Sequence, residues 1–482
     1  GMPYAMPNLS DNEYRTLVQW LAQGAQPPPA RTSSDAALEQ IARWEAFLND
    51  GSLKQQLTSR YLYEHLFQAH IHFAGTPTRE FYRLVRSSTP PGEPVEEIAT
   101  VRPYDSPGSA PFYYRLWRYP SAIVAKTHMV YTFSDERMAR YRELFLEPAY
   151  SVTALPSYDV AVASNPFKSF RQIPVSSRYR FLLDDAHFII EGFIKGPVCR
   201  GQIALNVIED RFWVVFADPD ADLASSRPEF LDEMSDYLEL PAEKGNTLRI
   251  LTTWHDYARR QNVYINARYA NLYKTAADFE DLHTAMRYIW DGDGHNPNAA
   301  LTIYRHFDSA SVEYGFIGEY PDSAWVIDYP LLERIHYLLV TGFNVYGNAG
   351  HQLLTRLYMD FLRMEGEYNF LTFIPVSDRR KILDSWYVGI RANMETSMGN
   401  RDWLQLETVT GYETDDPQRE LYEAIIGRLG PMAGEPAYLY RCKEDACIDG
   451  AAGEIKQRAD RAMRTIACLL YTSPSPRDRT HH

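Results

Sequence analysis

Two hydrophobic periodicities alternate along this chain, and the alternation restricts the folds that it can adopt. Residues 9–24, 34–48 and 53–73 carry the three-to-four-residue apolar spacing of amphipathic helices. Residues 80–131 instead carry short runs rich in aromatic and β-branched residues, broken by PPG, SPGS and Pro120, which favour antiparallel strands. Because one chain mixes both patterns, the sequence predicts an α+β fold.

The second half of the chain continues the mixture. Ile203–Ala217 predicts a hairpin that turns at Glu209-Asp210, and Ala300–Ile317 predicts another hairpin. Helical spacing covers further segments, namely Ser134–Leu146, Ser176–Lys195, Pro228–Leu238, His255–Tyr273 and Pro330–Glu365, the last one broken at Gly342 and Gly347. We therefore expect a large mixed domain of helices and antiparallel hairpins.

A Pro-rich run, AQPPPARTSS at residues 25–34, is the best candidate for a domain boundary. It separates an N-terminal piece at residues 1–32 from a large domain at residues 33–468. The final residues, 469–482 (LLYTSPSPRDRTHH), resemble translated sequencing adapter, so we exclude them from the fold prediction. A genuine disordered tail is the alternative for those residues.

Charge and hydropathy exclude some functions. The chain has 63 acidic and 49 basic residues and a net charge of −14, which argues against nucleic-acid binding through a broad basic surface. The chain contains no run of about eighteen apolar residues, the length that is needed to cross a bilayer. Any contact with a membrane is therefore expected to be peripheral and to need a local patch, because the overall charge does not attract anionic lipids.

The N-terminal piece begins GMPYAMPNLSDNEYRTLVQWLAQGA. Here Ser10 and Glu13 predict a capping box, and Gly24 predicts the end of the helix. The string resembles the last part of a class I cytochrome c domain, in which a Met-Pro loop supplies the sixth ligand of the haem iron. The resemblance implies that Met2 is this axial ligand, with Met6 as the second candidate. The alternative is that both are ordinary core or loop methionines.

The remainder of the chain is similar, over nearly its whole length, to the bacterial fatty acid cis/trans isomerases. The segments that carry the resemblance include FYRLVRSSTPPG, IKGPVCRGQIALNVI, NPNAALTIYRHFDSASV and VIDYPLLERIHYLLVTGFNVYGN. The resemblance implies a periplasmic isomerase that converts cis double bonds in the acyl chains of membrane phospholipids to trans without moving them. It also implies dependence on haem c and no use of ATP or NAD(P)H.

One departure from this family matters. The haem-attachment motif CxxCH does not occur in the chain, and we expect it upstream of Met2, on a segment that has been lost. As written, the chain is therefore expected to bind no haem covalently and to be inactive. Two other functions remain open: a periplasmic electron-transfer or interaction module of cytochrome type, and another lipid-modifying haem enzyme.

A cis olefin rotates only while its π bond is weakened, either by electron withdrawal to an oxidised haem or by reversible addition of a radical or nucleophile. Cys199 is the candidate for the second route, because the neighbouring Lys195 and Arg200 would favour its thiolate. The same two cations are candidates for contact with the lipid headgroup. A structural cysteine in a tight Gly-Pro turn is the alternative.

Histidines supply the other candidate catalytic residues. His65, His70 and His72 cluster in YEHLFQAHIHF, where a single helix would place His65 and His72 on one face and His70 on another. His128 lies on a predicted strand with Lys126 on the same face, where both could meet a headgroup or a haem propionate. Core packing for the cluster and a solvated strand face for the pair are the alternatives.

Overall fold

The structure is a computed structural model. It describes residues 9–25, 32–77, 80–119, 123, 128–195, 211–241, 250–276, 281–305, 310–342, 349–386, 402–405 and 411–434. The sequence-predicted tail and the Pro-rich centre of the predicted linker lie outside these residues. Within them the fold is a mixture of helices and short strands, so the predicted α+β class is confirmed.

Helices account for most of the described residues. They are α1 (Asp11–Ala22), α2 (Asp35–Leu48), α3 (Leu53–His65), α4 (Asp135–Phe145), α5 (Val160–Ala163), α6 (Pro166–Ser169), α7 (Val175–Asp184), α8 (Ala186–Lys195), α9 (Leu223–Ser226), α10 (Pro228–Met234), α11 (Ile250–Ala276), α12 (Leu282–Ala285), α13 (Tyr329–Gly342), α14 (Ala349–Leu371), α15 (Val376–Trp386) and α16 (Pro417–Leu429). The strands are β1 (His70–Phe73), β2 (Tyr82–Ser87), β3 (Tyr113–Arg118), β4 (Val130–Phe133), β5 (Arg211–Phe216), β6 (Ala300–Arg305), β7 (Ala310–Tyr314) and β8 (Ser323–Ile327).

Local capping explains where several helices begin. Ser10 and Glu13 form the predicted capping box of α1, with each side chain bonded to the backbone of the other residue. Ser34 and Ser134 accept backbone N–H groups at the starts of α2 and α4 in the same way. These helix starts are confirmed, because they depend only on residues three positions apart.

The first sheet has the strand order β3-β2-β1-β4. β2 pairs antiparallel with β3 along its whole length, and β1 pairs antiparallel with β2 where Ile71 faces Tyr82. β4 lies on the other side of β1 and runs parallel to it, with His70 opposite Val130. β2 and β3 therefore form a predicted antiparallel pair, whereas β4, also expected to pair antiparallel, runs parallel to β1.

The second sheet repeats this arrangement with the order β7-β6-β5-β8. β6 and β7 form the predicted antiparallel hairpin, with Ile303 opposite Val312. β5 pairs antiparallel with β6 and parallel with β8, so that Val214 lies between Leu301 and Trp325. In both sheets the strands, counted in chain order, lie third, second, first, fourth.

Helices cover the second sheet closely. The indole of Trp325 in β8 is fully buried and meets Phe193 of α8 edge-on, with ring centroids 6.3 Å apart. On α14, a Cβ atom at Gly366 would lie 3.1 Å from both Cβ and Cγ of Trp325. Only glycine lets the helix backbone approach this strand so closely without displacing the indole.

The structure corrects several element predictions, including the single helix over Ser176–Lys195, which is two helices, α7 and α8. The predicted helix over residues 53–73 ends at His65, and His70–Phe73 forms β1 instead, because its residues pair with β4 some sixty positions later. The predicted hairpin at Ile203–Ala217 is wrong for β5, since both edges of this strand are occupied by β6 and β8. Residues 203–208, the other half of that hairpin, lie outside the described residues.

The N-terminal helix stands apart from the core. No residue of α1 is buried, and its apolar side chains, including Tyr14, Trp20 and Leu21, are exposed. The helix itself is as predicted, but the described residues do not identify it as part of a cytochrome c domain. No helix of the described chain is both long and apolar enough to cross a membrane.

Candidate active site

The structure places the candidate site residues in separate regions. Met2, Lys126, Cys199 and Arg200 lie outside the described residues. Of the others, His65 lies deep in the core, His70 and His128 lie together at one end of the first sheet, and Lys195 is the last residue of α8. The surroundings of His65 in the core differ from those of His70 and His128 at the sheet. This difference indicates a structural role for His65 and a chemical role for the other two.

His65 is enclosed and fully hydrogen-bonded. Its Nδ1 lies 2.8 Å from the backbone oxygen of Tyr61, and its Nε2 lies 2.6 Å from Oε1 of Glu333 on α13. Both partners only accept, so the ring carries two protons while Glu333 is ionised. Both side chains of this pair are 0% exposed, which makes it a buried ion pair that joins α3 to α13.

Further polar groups complete this cluster. The hydroxyls of Tyr61 and Tyr329 each donate to Oε2 of Glu333 at 3.2 Å. Burial raises the pKa of the Glu333 carboxyl, but the protonated ring of His65 outweighs burial and holds that pKa below its ordinary value. His336 bonds to the backbone oxygen of His65, and its burial lowers its pKa to about 4. Both oxygens of the Glu333 carboxylate are therefore hydrogen-bonded within the protein itself.

A second set of buried charges lies where β8 ends. Arg268 on α11 pairs with Asp328 at 2.6 Å, and Arg334 on α13 donates to both oxygens of Glu365 at 2.6 and 2.7 Å. Asp222 lies nearby, and burial, followed by repulsion from Asp328, raises its pKa to about 7. These groups pair with one another across three helices, as buried charges must if they are to persist.

His70 and His128 are less completely satisfied. Their rings lie 5.2 Å apart, packed edge-on against Phe81 and Tyr119. His70 Nδ1 accepts the backbone N–H of Met129 at 3.3 Å. His128 Nδ1 is buried and has no hydrogen-bond partner among the described residues. We call these five residues the imidazole corner, after its two histidine rings.

The imidazole corner combines two histidine rings with largely apolar neighbours. Burial, with a smaller contribution from His128, lowers the pKa of His70 to about 4, so this ring is neutral at physiological pH. A neutral imidazole set among aromatic rings, as at His70, can contact an apolar chain without a charge to desolvate. The predicted strand at His128 is wrong at that residue, because β4 begins at Val130 and His128 precedes it as irregular backbone.

Two helix ends reach the same corner. A Cβ atom at Gly192 of α8 would lie 3.1 Å from Cε of Met129 and 3.6 Å from Cδ1 of Leu339 on α13. The amide of Gln68 donates to the backbone oxygen of Leu339 at 2.9 Å. Lys195 lies one turn beyond Gly192, where its ammonium pairs with Glu191 at 2.6 Å. A headgroup that used Lys195 would have to compete with this carboxylate.

The buried His65 has no ring nitrogen left to bind a haem iron. Both nitrogens of His65 are engaged, and His336 Nε2 already bonds to a backbone oxygen. No group of three or more His, Cys, Asp or Glu side chains in the described chain is arranged to hold a metal ion. The sequence has no CxxCH motif, and Met2 lies outside the described residues.

The comparison with protein families agrees with the sequence resemblance. A family model described as fatty acid cis/trans isomerase matches residues 1–473, which is nearly the whole chain. The chain belongs to the fatty acid cis/trans isomerase family. Searches of curated proteins and of solved structures found no match. Membership of the fatty acid cis/trans isomerases supports isomerase activity on unsaturated fatty acids.

Sequence reasoning missed the partners of these histidines. Glu333 and His336 stand in YPLLERIHYLLV, where charged residues interrupt an otherwise apolar helix. That interruption was a usable signal, because a charge on a buried helix face needs a partner. Phe81 and Tyr119 gave no such signal, since aromatic residues are common in any core.

Proposed function

We propose that this fatty acid cis/trans isomerase converts cis double bonds in the acyl chains of membrane phospholipids to trans, in the periplasm and with the help of haem c. The observation that carries the proposal is the family match over residues 1–473. The reaction exchanges no electrons overall, so it consumes no NAD(P)H, and the family resemblance implies that it uses no ATP. The haem would be carried on a CxxCH-bearing segment ahead of residue 1.

Within the described residues, we propose the imidazole corner as the place where the acyl chain is held. Its aromatic walls suit an apolar chain, and its neutral His70 presents no charge to it. His128 Nδ1, buried without a protein partner, has a position left for a polar group of the substrate or a water. His65, in contrast, is proposed as structural, because both of its ring nitrogens are engaged by groups of the protein.

The test compares two versions of the protein in a host that makes no trans-unsaturated fatty acids. One is this chain alone, and the other is the chain fused behind an exported cytochrome c segment that contains CxxCH. Gas chromatography of the phospholipid fatty acids should show trans-monounsaturated product with the fusion and none with the chain alone. If the fusion binds haem and exports but forms no trans product, the proposed reaction is wrong and an electron-transfer module becomes the better interpretation.

Variants of the fusion test the individual roles. We expect His70→Gln and His128→Gln to lower turnover by about ten- to hundredfold, because they displace the acyl chain of the substrate from its reactive position. The exposed His283→Gln is the matched control and should have no effect. Met2→Ala should change the haem absorption spectrum if Met2 is the axial ligand, and Cys199→Ser with full activity would exclude the thiol route.

A further inference from the structure

A groove on the surface of the first half of the molecule runs between α2, α3 and α4. It has a volume of 590 Å³ and lies apart from both histidine sites, and the residues that line it are Arg43, Ala46, Phe47, Asp50, Ser52, Lys54, Gln55, Met138, Arg142 and Leu146. We call it the α2–α4 groove. Its volume falls within the range of small-molecule sites, which is about 300–1,000 Å³.

The floor and the rim of this groove differ in chemistry. Phe47, Met138 and Leu146 give it an apolar floor, while the rim carries three cations and, among the described lining residues, a single carboxylate, Asp50. This is a local excess of positive charge on a chain whose net charge is −14. It is the kind of patch that a peripheral contact with anionic lipid requires.

The rim cations are not equally available. Lys54 donates to the backbone oxygens of Leu146 and Pro148 at 2.6 and 2.7 Å, so it mainly fixes one end of the groove. Arg43 pairs with Asp135 at 3.0 Å, but both side chains are more than half exposed, so an anion can replace this partner.

Arg142 is the cation best placed to meet a ligand. Its guanidinium lies over the ring of Phe47, with its Cζ 5.0 Å from the ring centroid, and no carboxylate of the described chain approaches it within 4.0 Å. A planar, exposed guanidinium held against an aromatic floor is well suited to bind phosphate oxygens in pairs.

We propose that the α2–α4 groove binds an anionic phospholipid of the bilayer surface, with the phosphate at Arg142 and Arg43 and the start of an acyl chain on Phe47, Met138 and Leu146. The inference rests on the proposed function, since a bilayer is expected as a partner only if the substrate is membrane phospholipid. It assigns the membrane contact to a face of the molecule separate from the imidazole corner.

The experiment measures sedimentation of the purified 482-residue chain with vesicles, so it requires neither haem nor activity. Vesicles of phosphatidylcholine are compared with vesicles that also contain phosphatidylglycerol, at low and high salt. We expect binding only with phosphatidylglycerol, and weaker binding at high salt because exposed charges are screened. Equal binding to both vesicles, or binding of inorganic phosphate without binding of vesicles, would overturn the proposal.

Charge reversal locates the contact. Arg142→Glu should weaken binding by about tenfold or more, because each cation near an anionic surface contributes a severalfold gain in affinity. Arg142→Gln should have about half of this effect on a logarithmic scale. Arg259→Glu is the matched control: Arg259 is 76% exposed and lines a second groove, where Asp236 and Glu239 balance Arg259 and Arg260. If Arg142→Glu binds like the unchanged chain, the α2–α4 groove is not the contact.

Failure of this inference can be told apart from failure of the proposed function. In the haem-bearing fusion, Arg142→Glu should lose activity on phospholipid in vesicles but keep it on phospholipid dispersed in detergent, where no docking is needed. Loss of activity on both substrates would place Arg142 in the catalytic machinery and contradict a docking role. A fusion that is inactive on both substrates before any substitution would refute the proposed function. The sedimentation experiment would still show whether the α2–α4 groove binds anionic vesicles.

Discussion

The two four-stranded sheets share one strand order, yet they support different kinds of site. In each sheet the first strand pairs antiparallel with the second and parallel with the fourth, and a helix follows the fourth strand. The helix after β8, α13, lies in the core and carries paired charges, whereas α4, after β4, borders the solvent-facing groove.

The residues just after the fourth strands show the contrast most clearly. Ser134 follows β4 and accepts the N–H of Arg137 at 3.2 Å; Asp328 follows β8 and accepts the N–H of Leu331 at 3.1 Å. Both are therefore helix caps at the same offset. Asp328 also pairs with the buried Arg268, which Ser134 has no counterpart for. The N-cap after the first sheet therefore only caps its helix, whereas the N-cap after the second sheet also neutralises a buried charge.

Removing the two caps should separate these roles and gives the largest effect that we predict. Asp328→Ala should lower the free energy of unfolding by about 3–5 kcal/mol, because it leaves the Arg268 charge buried and unpaired. Ser134→Ala should cost only about 1 kcal/mol, the usual loss of a cap. Urea unfolding of both variants measures the difference. Equal losses would show that the two positions are equivalent after all.

Substitution of a glycine by alanine should also destabilise the protein more at the second sheet than at the imidazole corner. Gly366→Ala should destabilise the protein by about 1–3 kcal/mol, because its Cβ would lie 3.1 Å from the buried indole of Trp325. Gly192→Ala places its Cβ 3.1 Å from the tip of Met129, a flexible side chain that can move, and alanine favours the helix. We expect a change within about 0.5 kcal/mol for Gly192→Ala, measured by thermal and urea unfolding. A large loss there would mean that the imidazole corner is as tightly packed as the second sheet.

The pH dependence of stability should also distinguish the two regions, because it should have opposite slopes in them. The pKa of His70 is lowered to about 4, so its contribution is complete above the ordinary histidine value, near pH 6.5, and is lost as pH falls through 4. The pKa of Asp222 is raised to about 7, so its contribution is complete below about pH 4 and is lost as pH rises through 7.

Single variants should remove one slope each. His70→Gln should make stability less sensitive to acid between about pH 6.5 and 4, and Asp222→Asn should make it less sensitive to rising pH between about 4 and 7. Unfolding midpoints in urea across this range provide the measurement. If His70→Gln lost stability at acid pH as steeply as the unchanged protein, the proposal of a neutral His70 would be contradicted. An unchanged loss of stability with rising pH in Asp222→Asn would likewise contradict the role given to Asp222.

Much of the helical structure could be predicted from the sequence. The capping box at Ser10 and the helix starts at Ser34 and Ser134 depend on residues within one helical turn, and the structure has them as expected. The β6–β7 hairpin is equally local. The error at Arg211–Phe216 arose because a strand pattern does not state its partner, and both partners of β5 lie about a hundred residues away.

The candidate site shows the same division. The sequence by itself determined the family, the mixture of helices and strands, and the histidines that deserve testing. Only the tertiary structure decided that His65 is used up by Glu333 on a distant helix, while His70 and His128 meet at one corner. The physical reason is that hydrogen bonding and burial set what an imidazole can do, and both depend on residues far away in the chain.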